Sequence, residues 1–365
     1  MFKWLKRLFK ETKKTSLPKT TNFTRACNWD EFKGNITVVE RLQKTIIASQ
    51  IQGTALPNIL FYGPAGCGKT TLAKIVANVW QANLFEITGS SLRTQLDLVK
   101  LVSKIGYLNK KGQKAIVFVD EVHGIVKGRG LGEDIWLPLL EQGVLHHSCV
   151  GKTWKEGKNT YEVISSPTTL SAATWIGATT DPGLLNSAIR RRFPVTIALE
   201  EYSIQDIEDI VQMYCTREGI SIDKDALHLI ASRSRYRPAI AIDHLLRQAR
   251  DEAIIDSGTI ANTHIQLSHV LEASRLAGIS ESGIKDEDLR VLGTLYGTYP
   301  EGKGLKNLAD STDLSLNIVQ NMVLPFLQIE GWVKTTHKRF LTEKGKTFYE
   351  QLLKGEKDEF NESIS

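Results

Sequence analysis

Nine consecutive residues, Gly63-Pro64-Ala65-Gly66-Cys67-Gly68-Lys69-Thr70-Thr71, constrain this chain more than any other stretch of it. Before them, Asn58-Ile59-Leu60-Phe61-Tyr62 is a short apolar run between Pro57 and Gly63, the pattern of a buried strand. After them, LAKIVANVW repeats its apolar positions at helical spacing. A G-x-x-x-x-G-K-[ST] motif between a strand and a helix is a phosphate-binding loop in the context that loop requires. Its glycines let the backbone wrap an anion, so that N–H groups at the helix start point at phosphate oxygens. Lys69 supplies positive charge to the β- and γ-phosphates, and the Thr70 hydroxyl is placed for magnesium. The spacing predicts a nucleotide site over residues 63–71, with Mg2+ as its companion ion.

Hydrolysis at such a site also needs a carboxylate for the metal and a group that orients the attacking water. Ala115-Ile116-Val117-Phe118-Val119 is a continuous apolar run, as expected of a strand buried on both faces of a parallel sheet. It ends in Asp120-Glu121, at the carboxyl edge where such sheets carry their chemistry. Asp120 is the expected magnesium ligand and Glu121 the expected polariser of water. A third run, Thr174-Trp175-Ile176-Gly177-Ala178, leads into Thr179-Thr180, where a polar side chain would reach the γ-phosphate from the neighbouring strand. The helix-like GLLNSAIRRRF that follows carries Arg190, Arg191 and Arg192. Arginines so placed either stabilise transition-state charge in an adjacent subunit's site or form a solvated basic turn.

The phrases NILFYGPAGCGKTTLAKIVAN, IVFVDEVHGI, WIGATTDPGLLNSAIRRRF and LPFLQIEGWV resemble, in order, the RuvB-like AAA+ ATPases, the Holliday-junction branch-migration motors. The resemblance spans roughly residues 24 to 350, and TRACNWDEFKGN is similar to the family's N-terminal box that packs on adenine. It implies an α/β chain: an AAA+ P-loop NTPase core with a parallel sheet, a small helical lid domain and a C-terminal winged-helix domain. It implies a homo-oligomeric ring, a hexamer, that hydrolyses ATP to move branched or duplex DNA with little sequence preference. Lys69 and Thr70 match the family's Walker A, and Asp120 and Glu121 its Walker B. Thr180 matches sensor 1, and Arg190 matches the trans-acting finger, with Arg192 as the alternative. The implied domains are the core at 21–200, the lid at 201–280 and the winged helix at 281–350. A basic extension at 1–20 and a polar tail at 351–365 flank them.

The chain departs from the family's pattern in three places. The family's sensor 2 arginine follows a proline, whereas Arg235-Tyr236-Arg237-Pro238-Ala239 has Ala239 there, leaving Arg237 as the candidate substitute at the nucleotide. Lys33 stands where the adenine box has an aliphatic residue. Residues 143–166 lie where the family has a β-hairpin that docks the junction-binding partner RuvA. Here VLHHSCVGKTWKEGKNTYEVI gives two β-rich arms around a Lys-Glu-Gly-Lys turn, so a hairpin is expected with a sequence unlike one that grips that partner. His146 and His147, as adjacent strand residues, would point to opposite faces; they cannot chelate one ion together and are expected on the surface.

From Ser203 onward helical periods replace strands. Ile204, Ile207, Ile210 and Val211 form one stripe, Ala226, Leu227, Leu229 and Ile230 a second, and 238–255 a third around Leu245, Leu246 and Ala249. Such helices fit either a lid that converts nucleotide state into motion or an uncoupled appendage. Helices over Asp288–Tyr296, Leu305–Ser311 and Ser315–Gln328, then strands at 331–336 and 339–342, read as a winged helix. The wing offers Lys334, His337, Lys338 and Arg339 to a sugar-phosphate backbone, while the third helix has Asn317, Gln320 and Asn321 but no arginine. Backbone binding with little sequence reading is expected, against a protein-docking winged helix as the other reading.

Charge separates the ends from the body. The net charge of +5 comes from the first twenty residues, where Lys3, Lys6, Arg7, Lys10, Lys13, Lys14 and Lys19 face only Glu11. Phe2, Trp4, Leu5, Leu8 and Phe9 fall on one helical face of that head. Residues 1–16 therefore either contact an anionic membrane or a partner, or form a frayed extension. No apolar run approaches the ~18 residues of a membrane span. Cys27, Cys67, Cys149 and Cys215 show no zinc spacing and read as reduced thiols of a cytoplasmic protein. The function these readings support is an ATP hydrolase acting as a DNA motor. A non-translocating switch or a clamp-loader-like ATPase on DNA is the alternative.

Overall fold

The computed structural model of the chain describes residues 26–362, apart from 27, 93, 126–130, 157–158, 164–165, 171–172, 261 and 281–282. The basic head, with its expected membrane or partner contact, lies outside the described residues. Helix α1 (Ile36–Gln52) precedes β1 (Ile59–Tyr62), α2 (Lys69–Trp80), β2 (Ala82–Thr88), α3 (Gln95–Lys110), β3 (Lys114–Asp120) and α4 (Glu133–Gln142). An insertion of four short strands follows: β4 (Val144–Leu145), β5 (Thr153–Glu156), β6 (Asn159–Glu162) and β7 (Thr168–Thr169). The core closes with β8 (Ala173–Thr179), the one-turn α5 (Ser187–Arg190) and β9 (Val195–Ala198).

The five long strands make one parallel sheet in the order β2-β3-β8-β1-β9. Strands β3 and β8 lie inside it and are buried on both faces, which is why both read as unbroken apolar runs. Edge strand β2 alternates in exposure instead. One face is covered by α1 and α2, with Leu42, Leu72 and Ile75 fully buried. The other is covered by α3 and α4, where Trp136 meets Trp175 edge-on at 5.9 Å between ring centres. Because all five strands run the same way, the glycine loop, Asp120-Glu121 and Thr179-Thr180 leave the sheet at one edge.

The hairpin expected within 143–166 is present and reaches slightly further. Strands β5 and β6 pair antiparallel with Trp154 opposite Tyr161, and β4 pairs with β7 at its base. The surface expectation for His147 is corrected, while His146 is exposed. His147 is buried; its Nδ1 accepts the Cys149 N–H at 3.3 Å, and its Nε2 lies 2.9 Å from Thr168 Oγ1. Accepting at Nδ1 places the ring proton on Nε2, and burial pushes the imidazole pKa down. The ring bridges the two outer arms of the insertion as a neutral packing group.

Four helices form the lid: α6 (Ile204–Glu218), α7 (Lys224–Arg233), α8 (Arg247–Ser257), entered through a π-helical stretch at Ile240–Leu246, and α9 (Leu267–Leu276). Ser203 and Asp206 cap α6 reciprocally, and Ile207, Ile210 and Val211 fill its inner face. Two two-residue strands, β10 (Ser221–Ile222) and β11 (His264–Ile265), pair in parallel here, where no strands were expected.

The last unit has α10 (Asp286–Tyr296), α11 (Leu305–Thr312) and a third helix. That third helix begins at Leu316–Ile318, widens into a π turn at Val319–Val323 and continues through Leu324–Ile329. Strands β12 (Val333–Thr335) and β13 (Arg339–Leu341) make the wing, and Lys303 bonds to Arg339 through both backbone groups as a third rung. A helix runs from Glu343 to Glu362 and takes in most of the expected polar tail. Its Phe348 stacks on Trp332 at 3.9 Å, so the segment is anchored to the wing's core. Among the described residues no helix is long and apolar enough to cross a membrane.

Candidate functional site

The glycine loop has a shape that side chains would prevent. Gly63 has φ +146°, and a Cβ there would meet the Leu199 carbonyl oxygen at 2.3 Å. Gly68 has φ +93°, and a Cβ there would press on Phe32 at 3.0 Å and on the Tyr202 hydroxyl at 3.1 Å. That hydroxyl donates to the Cys67 carbonyl at 3.1 Å. Phe32, from the N-terminal box, and Tyr202, at the entry to the lid, thus support the loop from beneath.

Lys69 is the first residue of α2 and is buried. Its Nζ donates to the carbonyls of Gly63 and Pro64, both at 2.7 Å, and lies 3.8 Å from Cys67 Sγ. Burial raises the Cys67 thiol pKa against the pull of that ammonium, so the thiol stays protonated. A cavity of about 250 Å³ opens above, lined on the loop side by Gly66, Gly68, Lys69, Thr70 and Thr71. From the lid come Ile210, Tyr214, Pro238, Ala239, Ile242 and Asp243. Apolar walls over a polar floor suit a purine above phosphates. A second space of about 190 Å³ is shared by Thr70, Thr88, Asp120 and Glu86. Hard oxygen donors converging there fit a magnesium ion, with Thr70 and Asp120 as the groups that would hold it.

Glu121 begins the turn after β3 with φ +49°, an unusual conformation for a side chain other than glycine. Its backbone N–H donates to Asp120 Oδ1 at 3.0 Å. Its carboxylate is turned toward His123, whose Nδ1 lies 3.1 Å from Glu121 Oε2 and 3.1 Å from Thr179 Oγ1. Thr179 ends β8 and is fully buried, while Thr180, the expected sensor, is the next residue out and half-buried. The reading of the sequence named Thr179 beside Thr180 and chose the latter, and it missed His123. A histidine two residues past the Asp-Glu pair was the available signal.

The arginine cluster divides. Arg190, at the end of α5, is exposed. Arg192 Nη2 pairs with Glu141 Oε2 at 2.9 Å, and its carbonyl accepts from Asn58 Nδ2 at 3.0 Å. Arg192 is therefore engaged within its own chain, and Arg190 is presented outward.

Arg237 does not sit where a substitute for sensor 2 would. Ala239 and Arg237 both approach the loop at Cβ, 3.4 and 3.9 Å from the position of a Gly66 Cβ, but Ala239 lines the cavity while the Arg237 guanidinium donates to the Asn321 carbonyl at 2.9 Å. Arg235 and Tyr236, both with positive φ, form the turn that points it there. Arg235 pairs with the fully buried Asp288 at 2.8 Å, donates to the Met322 carbonyl at 3.1 Å and lies over the Phe326 ring. The Tyr236 hydroxyl donates to Glu330 at 2.8 Å. Asn321 and Met322 lie in the π turn, whose altered hydrogen-bond ladder leaves carbonyls for the two guanidinium groups. The sensor region is thus bonded to the third helix of the winged unit.

On the wing, Lys334 and His337 are exposed. Lys338 is half-buried, with Nζ 3.5 Å from the Glu301 carbonyl. Arg339 is held by the Lys303 rung and is likewise half-buried, so Lys334 is the most exposed of the three cations.

Comparison with known proteins gives one consistent result. The family model described as the Holliday junction DNA helicase RuvB P-loop domain matches residues 24–199. The Holliday junction branch migration complex subunit RuvB of Kosmotoga olearia is 32% identical over 318 residues, 86% of each chain. Its counterpart in Fervidobacterium nodosum is 33% identical over 316 residues, covering 86% of this chain and 85% of that one. Among solved structures, the Thermotoga maritima RuvB Holliday junction branch migration motor superposes with a TM-score of 0.73 at 26% identity. That match covers 90% of this chain and 99% of the other.

Proposed function

The chain belongs to the RuvB family, and from that premise we propose that it is an ATP-driven motor that moves Holliday-junction DNA. The observation that carries this is convergence at one sheet edge. Lys69 and Thr70, Asp120 and Glu121, and Thr179 and Thr180 meet beneath a lid bonded to a winged helix. Lys69 exchanges its two loop carbonyls for phosphate oxygens, and Gly66, Cys67 and Gly68 offer backbone N–H groups to the same anion. Thr70 and Asp120 would hold magnesium, which would neutralise phosphate charge there. Glu121 orients water, Thr180 contacts the γ-phosphate, and Arg190 reaches the site of the next subunit. Because a trans-acting arginine completes the site, the working form is a ring of copies, a hexamer as in the family reading. The hairpin is the surface for a RuvA-like junction-binding partner, and the 21–200, 201–280 and 281–350 divisions are the moving parts.

One observation favours the non-translocating switch as the second reading. Ala239 occupies the wall position at which the family resemblance expects a sensor arginine, so closure on the γ-phosphate has one charge fewer.

Fluorescence anisotropy on a labelled duplex tests the DNA half of this function. Lys334→Glu plus Lys338→Glu is expected to weaken binding about tenfold or more at low salt, and to lower the slope of log affinity against log salt by about two. Unchanged affinity and slope would show that the wing does not carry the DNA.

A further inference from the structure

The pairing of His123 with Glu121 carries a role of its own. Hydrogen counting fixes the state of the ring. The single hydroxyl hydrogen of Thr179 goes to the Asp181 carbonyl at 3.1 Å, and the Asp181 N–H donates to that hydroxyl oxygen, also at 3.1 Å. Toward His123 the hydroxyl can then only accept, so Nδ1 carries a proton. Glu121 Oε2, which as a carboxylate can only accept, lies 3.1 Å from the same nitrogen. The ring N–H is thus bonded to the tip of the strand that bears Thr180 and sits in contact with the catalytic carboxylate. The Glu121 backbone is compatible with this hold, since its left-handed turn is closed by the Gly124 N–H on the Glu121 carbonyl at 2.8 Å. Thr70 and Asp120 line the metal-sized space, and Glu121 does not.

We propose that His123 is a positioning residue that holds Glu121 withdrawn between turnovers and links its release to movement at the tip of β8. The inference rests on the hydrolytic role proposed for Glu121. The ring does no chemistry. The ring N–H beside the carboxylate attracts its charge and competes with water for it, and β8 carries both the accepting hydroxyl of Thr179 and the expected sensor Thr180. A shift of that strand end on sensing the γ-phosphate pulls the ring and frees the carboxylate. Two groups 56 residues apart in sequence become one relay because β3 and β8 are neighbours in the sheet.

The test is steady-state ATP turnover of the full chain with and without four-way-junction DNA. His123→Ala is expected to raise the DNA-free kcat about fivefold, the worth of one hydrogen bond, with KM for ATP within twofold. The ratio of DNA-stimulated to DNA-free rate falls accordingly. His123→Asn, whose amide places an N–H near the Nδ1 position, restores the low DNA-free rate and the ratio. Thr179→Val, which removes the ring's other acceptor, shifts the ratio in the same direction by less. A fall in both rates of His123→Ala by one factor, or no change in either, overturns the proposal. Wild type and Glu121→Gln run alongside: absent wild-type turnover, or normal turnover by Glu121→Gln, refutes the hydrolytic reading itself.

Discussion

Glu121→Gln is expected to lower ATP turnover at least about a hundredfold while nucleotide binding and assembly stay intact. The amide keeps the size of the side chain and places no new demand on the φ of +49° at this position. It cannot accept a proton from water, which is the property the carboxylate contributes. Binding should survive because the cavity floor is made by Gly66, Gly68, Lys69, Thr70 and Thr71, with no contribution from Glu121. Phosphate release and titration with a fluorescent ATP analogue separate the two effects. Turnover within threefold of wild type would remove Glu121 from the mechanism, and lost binding would place it in the floor.

The second large effect is mechanical. Asp288→Ala is expected to cost about 3–5 kcal/mol, because Arg235 would be left charged and buried without its partner. Asp288 is fully buried, and its other oxygen accepts the Lys285 N–H that opens α10, so the loss also uncaps that helix. Burial alone raises the Asp288 carboxyl above the usual aspartate range, and Arg235 opposes that rise. Arg235 and Tyr236 are successive residues in the left-handed region, a conformation that needs outside support. Hydrogen exchange on the intact chain should show lost protection in α10 and the third helix, with the strands of the core unaffected. Removing both charges, Arg235→Met with Asp288→Leu, should recover most of the protection. Wild-type exchange in Asp288→Ala would mean that the pair does not hold the lid to the winged helix.

The legible parts of the sequence were those with a local physical signature. Strands β1, β3 and β8 showed as short apolar runs ending in glycine, acid or threonine because interior parallel strands are buried on both faces. The phosphate loop was fixed by its spacing, and the helices of the lid by their stripes. What depended on distant partners was hidden. His123 gains its meaning only from the neighbour relation of β3 and β8. Arg237 sat two residues from the expected position at Ala239, and the left-handed pair Arg235-Tyr236 turned its guanidinium to the third helix. His147 looked like a surface residue until the base of the insertion closed around it. Strands β10 and β11 are too short to show a period. The C-terminal helix did carry a signal in Phe348 and Leu352, four residues apart, and its charged composition masked it.

The most direct measurement is migration of a synthetic four-way junction bearing a fluorophore on one arm, with ATP and magnesium, alone and with a junction-binding partner. Wild-type protein should convert the junction to duplex products only when ATP is hydrolysed, and Glu121→Gln should bind the junction without moving it. Junction-stimulated hydrolysis with no movement of the arms, partner present or absent, would contradict a motor and leave the nucleotide switch.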